Sequence, residues 1–256
     1  AIPLSMPFSP TDAGAEHLAA RVRQKLGLGA AVGCDYLEVL EDAGLRVVFA
    51  ELAEGCDSFG GYDRVNGNAF LFVNSRLKKQ PERQVFRALF ELARVYWYTG
   101  QRSGLITVEG GSEDAALNEA QFANSFATCF LMPAAAVQAT VWQLGLAPKA
   151  WTLDLLLRLK RRYGVTAHAF ASRLQALRLT CSDKQKRNPR NYLFKDELDA
   201  YAEANAHAEP GGSRPPLAMN GRLCDLLLCA EQANKDPKAL NAVKRVLRQS
   251  CVKLDA

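Results

Sequence analysis

The sequence predicts an α+β domain, mostly helical with a small sheet, followed by a helical C-terminal extension. Three observations carry that prediction. Apolar residues recur at helical spacing through most segments, beginning with Leu18, Val22 and Leu26. β-branched and aromatic runs bounded by turn residues fall within residues 45–76. A Pro/Gly-rich linker, EPGGSRPP, then sets off a last helical tail.

The elements follow in order. AEHLAARVRQKLGL (15–28) is the first helix and CDYLEVLEDAG (34–44) the second, closed by Gly44 as a C-cap. LRVVFAEL (45–52) is a strand. Gly60-Gly61 marks a turn, Asn66-Gly67 a second turn, and NAFLFVNSR (68–76) the next strand. Pro81 suits the first position of a helix over 81–100, with Glu82 near its positive end. On that helix Val85, Leu89, Leu92 and Tyr96 form the face expected to pack on the sheet. A Gly-rich loop leads to a long helix, ALNEAQFANSFATCFLM (116–132), which Pro133 ends or kinks. Shorter amphipathic helices follow, TLDLLLRLKRRYG and TAHAFASRLQALRL, the latter N-capped by Thr166. The organisation expected is a core over 1–150, a basic helical segment over 151–195 that completes it or is appended to it, and a linker with helical tail over 196–256.

Composition narrows the function classes. The chain has 256 residues, 48% apolar and 23% charged, which is ordinary for a globular protein and excludes disordered, collagen-like and coiled-coil readings. Its seven cysteines (Cys34, Cys56, Cys129, Cys181, Cys224, Cys229, Cys251) are odd in number and contain no CxxC pair. Reduced thiols in a cytoplasmic protein are expected rather than a disulfide framework or zinc ribbon. The N-terminus lacks the charged and apolar regions of a secretory signal. An initial Ala rather than Met is expected of a processed chain or of one cut from something longer, which leaves open whether a DNA-binding domain precedes Ala1. Residues 120–148 carry no charge but are interspersed with Gln and Asn and broken by Pro133, so a buried helix and a second helical segment are expected, not a membrane span.

The order of LEVLEDAGLRVVFAEL, GNAFLFVNS, RQVFRALFELARVYW, ANSFATCFLMP and GVTAHAFASRLQAL over about residues 12–180 resembles the ImmA/IrrE family of zinc metallopeptidase-like domains. The resemblance implies a zincin-like fold and an HExxH-type helix, whose histidines bind zinc and whose glutamate polarises the metal-bound water. It places Phe90 and Arg94 at the two histidines and Glu91 at the glutamate. Near the third, carboxylate ligand stand Ala120 and, one residue away, Glu119. Phenylalanine has no lone pair, and a guanidinium cannot deprotonate to ligate a cation. The chain has only three histidines, His17, His168 and His207, and none falls on this helix. No metal and no cofactor are therefore expected. Glu91 is left as a vestige, and Arg94, three residues on, is placed to meet it and Glu119. Phe90, Glu91, Arg94 and Glu119 are the candidates for binding a ligand or partner in the former cleft.

The resemblance further implies a link to transcriptional control, commonly beside a helix-turn-helix domain. The expected function is thus a catalytically inactive regulatory module, the sensor or partner-binding part of a transcriptional or stress-response regulator. Its partner would be a regulatory protein or small-molecule ligand, with no membrane involved. Two alternatives stand beside it. Residues 151–195 hold eleven Lys/Arg against Asp154 and Asp183. Lys160, Arg161, Arg162, Lys186, Arg187 and Arg190 are the candidates there for contacting DNA or other nucleic acid. The second alternative is an active peptidase with a non-standard site, for instance one using a cysteine nucleophile. GGSED and GGYDR lack the spacing of phosphate-binding loops.

Overall fold

The computed structural model describes residues 2–106, 117–180, 192–205, 208–215, 220–233 and 235–250. Helices α1 (Asp12–Lys25) and α2 (Tyr36–Asp42) come first, capped by Thr11, which accepts the Gly14 N–H at 3.0 Å, and by Asp35. Strands β1 (Arg46–Ala50), β2 (Ser58–Asp63) and β3 (Asn68–Asn74) then lead through a short 3-10 turn into α3 (Pro81–Arg102). Next are α4 (Glu119–Leu131), α5 (Ala134–Gln143), α6 (Leu153–Tyr163) and α7 (Ala167–Ala176). The C-terminal helices are α8 (Lys195–Ala204), α9 (Gly221–Gln232) and α10 (Pro237–Ser250). The α+β class is as expected. Pro81 and Thr166 hold the helix-start positions assigned to them, and Pro133 ends α4.

The sheet has the order β1-β3-β2, with β3 parallel to β1 and antiparallel to β2. Its inner face carries Val47, Phe49, Leu71 and Val73 into the core, with α3 against β3 and β2 and α2 against β1; Val85, Leu89, Leu92 and Tyr96 of α3 are fully buried. α4 lies across α3 and α1 and adds Phe122, Phe126 and Phe130 to the same core. No single described helix is long and apolar enough to cross a membrane. α4 and α5 pass together by composition but are bent by 45°.

One expectation is corrected here. Gly60-Gly61 is not a turn but the middle of edge strand β2, paired with Leu71 and Phe70. The reason is steric: a Cβ on Gly60 would stand 3.2 Å from both the carbonyl oxygen and Oε2 of Glu91. Glycine in this strand marks the close approach of α3, not a reversal of the chain.

The tail also turns back onto the core. Asn220 accepts the Phe49 N–H through Oδ1 and donates Nδ2 to the Phe49 carbonyl, both at 2.8 Å, supplying β1 with the hydrogen bonds that another strand would make. The preceding loop is fixed to α6, α7 and α3: Glu209 Oε1 accepts Lys160 Nζ at 2.6 Å and the Ala167 N–H at 2.7 Å, and Glu82 Oε1 accepts the Arg214 N–H at 2.6 Å.

Candidate functional site

α3 runs beneath β2, and that approach buries Glu91. Its Oε1 accepts the Ser58 hydroxyl, from β2, at 2.7 Å, while Oε2 accepts Arg94 Nη1 at 3.2 Å. Arg94 also donates Nε to Glu119 Oε1 at 2.5 Å. Glu119 is the first residue of α4, set there by a capping box in which Asn118 and Gln121 satisfy each other's backbone N–H groups. One guanidinium thus lies between two carboxylates and joins α3 to α4.

The electrostatics follow from unequal burial. The Glu91 side chain is 1% exposed, against 40% for Arg94 and 42% for Glu119. Burial pushes the Glu91 carboxyl above its ordinary range, opposed by the Ser58 hydroxyl and by Arg94 and Arg87. For Arg94 burial works against the charge, but Glu119 and Glu91 outweigh it and raise the pKa further. The arginine is a permanent cation.

Phe90 is buried, with the Arg87 guanidinium over its ring at 5.4 Å. Arg87 in turn pairs with Asp57 at 2.9 Å, as does Arg83 at 2.6 Å. Those two arginines hold the Asp57 carboxyl below its usual range despite partial burial.

These residues do not fit a zinc ion of the kind an HExxH helix holds. Phe90 offers no donor, Arg94 brings a positive charge to the spot, and the Glu91 oxygens already accept from Ser58 and Arg94. His17 lies on α1 and His168 on α7, while His207, Cys181 and Cys251 fall outside the described residues. Next to the Arg94 bridge opens a cavity of about 390 Å³, walled by Gly60, Gly61 and Tyr62 of β2, by Trp97 and Tyr98 of α3, and by Glu119.

A family model described as the IrrE N-terminal-like domain matches residues 40–175. The chain belongs to this family. The match runs from the end of α2 into α7, and so contains the sheet, α3 and α4 that build the Arg94 bridge. Among solved structures, the IrrE-like chain is similar to a Mycobacterium tuberculosis transcriptional regulator. The identity is 22% and the TM-score 0.42, over 63% of this chain and 55% of that one. The chain therefore spans little more than half that regulator's length. No curated protein matches.

The basic segment of this IrrE-like domain is divided. Lys160 is buried, its ammonium held by Glu209 and, at 2.9 Å, by the Gly212 carbonyl, so it does not lie on a surface that phosphates could reach. Arg161 is exposed but donates Nε to the Gly211 carbonyl at 2.9 Å, and Arg162 is exposed. Arg173, another member of the charge count, is buried against the Met132 carbonyl and Glu16. Lys186, Arg187 and Arg190 lie outside the described residues.

Sequence reasoning missed Ser58, the partner that fixes Glu91. It precedes that glutamate by a strand, a turn and another strand, and no local spacing announces the pair. It also missed the arginines that converge on Tyr98, described below. Reading Ser58-Phe59-Gly60-Gly61-Tyr62 as an edge strand instead of a turn would have set Ser58 at a strand start, but its pairing with Glu91 is made only by the tertiary fold.

Proposed function

We propose that this IrrE-like domain is a catalytically inactive metallopeptidase-like module, working in the cytoplasm as the sensor or partner-binding part of a transcriptional or stress-response regulator. The observation that carries the reading is the Arg94 bridge. A guanidinium held by Glu91 and Glu119 occupies the helix face where the family resemblance would put a metal, and it ties up the carboxylate that would polarise water. Family membership supports the regulatory side, and the free thiols of Cys34, Cys56, Cys129 and Cys229 fit a reducing compartment. The cavity beside the bridge is the proposed place for a ligand or a segment of a partner protein.

The test is a protease assay on an unfolded protein substrate with zinc supplied, comparing wild type with Glu91→Gln. The expected result is no hydrolysis that distinguishes the two. Hydrolysis that Glu91→Gln abolishes would overturn the pseudoenzyme reading.

A further inference from the structure

A second cavity, about 240 Å³, adjoins the first and shares Tyr62 and Tyr98 with it. Its chemistry differs. Arg64, just past the end of β2, donates Nη2 to the Tyr98 hydroxyl oxygen at 2.6 Å, and Arg102, at the end of α3, donates Nη1 to the same oxygen at 2.6 Å. Both guanidinium groups also stand over the Tyr98 ring, at 5.6 and 5.3 Å from its centroid. Two cations therefore converge on one hydroxyl oxygen.

Arg83, Arg87 and Arg94 of α3 each meet a carboxylate, whereas among the described residues neither Arg64 nor Arg102 has one within ion-pair distance. Each guanidinium uses one N–H on Tyr98, and the rest of both planar forks stay available. Ser5 and Ser103 add hydroxyls to the wall. The compartment is rich in donors and holds concentrated positive charge at its mouth.

We propose that Arg64, Tyr98 and Arg102 form an anion subsite that takes the phosphoryl group of a small phosphorylated ligand, whose remainder passes Tyr98 into the larger cavity beside Trp97 and Arg94. This rests on the reading of that cleft as a binding site. A phosphoryl group suits the two forks better than a carboxylate because its terminal oxygens outnumber a carboxylate's and can accept from both guanidinium groups at once. The concavity and aromatic walls suit a small molecule. A nucleic-acid backbone would instead meet a row of cations along a convex surface.

Titration calorimetry of the full chain at fixed ionic strength tests the assignment, with phenyl phosphate, inorganic phosphate and benzoate as probes. Phenyl phosphate is expected to bind saturably, with benzoate at least about tenfold weaker. Arg64→Gln and Arg102→Gln should each weaken phenyl phosphate binding about tenfold, and the double variant should abolish it, whereas Arg158→Gln on the exposed face of α6 should leave it unchanged. Both Arg64 and Arg102 are exposed, so the variants are expected to keep the wild-type melting temperature without ligand. Absence of saturable phosphate binding would overturn the proposal, as would binding insensitive to both arginine variants or benzoate binding equal to phenyl phosphate. Duplex DNA binding lost in the same variants, without phosphate-ester binding, would assign the cluster to a nucleic acid instead. The readout is independent of zinc and of proteolysis, so the subsite and the pseudoenzyme reading fail separately.

Discussion

Arg94 and Glu119, 25 residues apart in the chain, meet Nε to Oε1 at 2.5 Å and join the third helix to the fourth. The same guanidinium reaches Glu91 at 3.2 Å. Because Glu91 is buried and the other two are partly solvated, the arrangement is held from the surface inward. The charge that would be costly to leave alone is the one furthest from water.

Removing the cation should therefore cost more than removing the outer carboxylate. Arg94→Ala leaves Glu91 with the Ser58 hydroxyl as its hydrogen-bond donor and the more distant Arg87 charge, and is expected to destabilise by about 2–3 kcal/mol, below the ~3–5 typical of a fully buried pair. Glu119→Ala, at a solvated position, is expected to cost under about 1 kcal/mol. Urea denaturation of the two variants checks the order, and equal losses would contradict it.

Neighbouring glycines in β2 provide a steric contrast. A Cβ on Gly60 would press on the Glu91 carbonyl at 3.2 Å and on Val95 at 3.4 Å, whereas one on Gly61 would meet only the Phe70 side chain, at 3.9 Å. Gly60→Ala should destabilise by about 1–3 kcal/mol through overpacking against helix backbone. Gly61→Ala should be neutral or mildly stabilising, by up to about 1 kcal/mol. Thermal melts of the pair decide it.

Asn220 adopts φ 59°, a left-handed conformation that asparagine tolerates, while its amide serves both polar groups of the buried Phe49 backbone. Replacing it with glycine keeps the conformation and removes the bridge. Asn220→Gly is expected to cost about 1–3 kcal/mol for the orphaned groups, and Asn220→Ala more because strain is added. Faster hydrogen exchange at the Phe49 amide should accompany the loss. Wild-type stability and protection in the glycine variant would show that the tail does not secure the β1 edge.

Glu41, on α2, has its carboxyl raised from 4.5 to about 7, chiefly by burial, with Asp35 and Asp42 adding to the rise and Arg222 and Arg46 opposing it. Below 4.5 folded and unfolded chains both hold the proton. Between there and about 7 only the folded chain does, so this group's contribution to stability falls as pH rises, and above that window the loss is constant. Melting temperatures of wild type and Glu41→Gln should therefore diverge in favour of the variant as pH goes from 5 to 8. A difference that does not change with pH would refute the assignment.

What was legible in the sequence was what local chemistry dictates. Pro81 and Thr166 announce helix starts through a missing N–H and a capping hydroxyl, and the three-residue spacing of Glu91 and Arg94 puts them on one helix face. Glu119 could be set beside them because the family resemblance supplied the order of the two helices. Gly60-Gly61 misled because glycine marks both turns and close approaches, and only the position of α3 separates the two. Lys160 and Arg173 misled in the same way: their charge is visible in the sequence, but Glu209 and Glu16, which take them into the interior, are brought in by tertiary folding.

The most direct test of the central claim, that an arginine bridge has replaced a metal on the third helix, is the zinc content of the purified chain. It should be measured by elemental analysis after equilibration with zinc and removal of the excess, alongside the Phe90→His/Arg94→His double variant. The expected result is far less than one zinc per wild-type chain and a gain of bound zinc in the double variant, where two imidazoles would stand four residues apart with Glu119 nearby. One tightly held zinc per wild-type chain, lost on replacing Glu91 or Glu119, would contradict it.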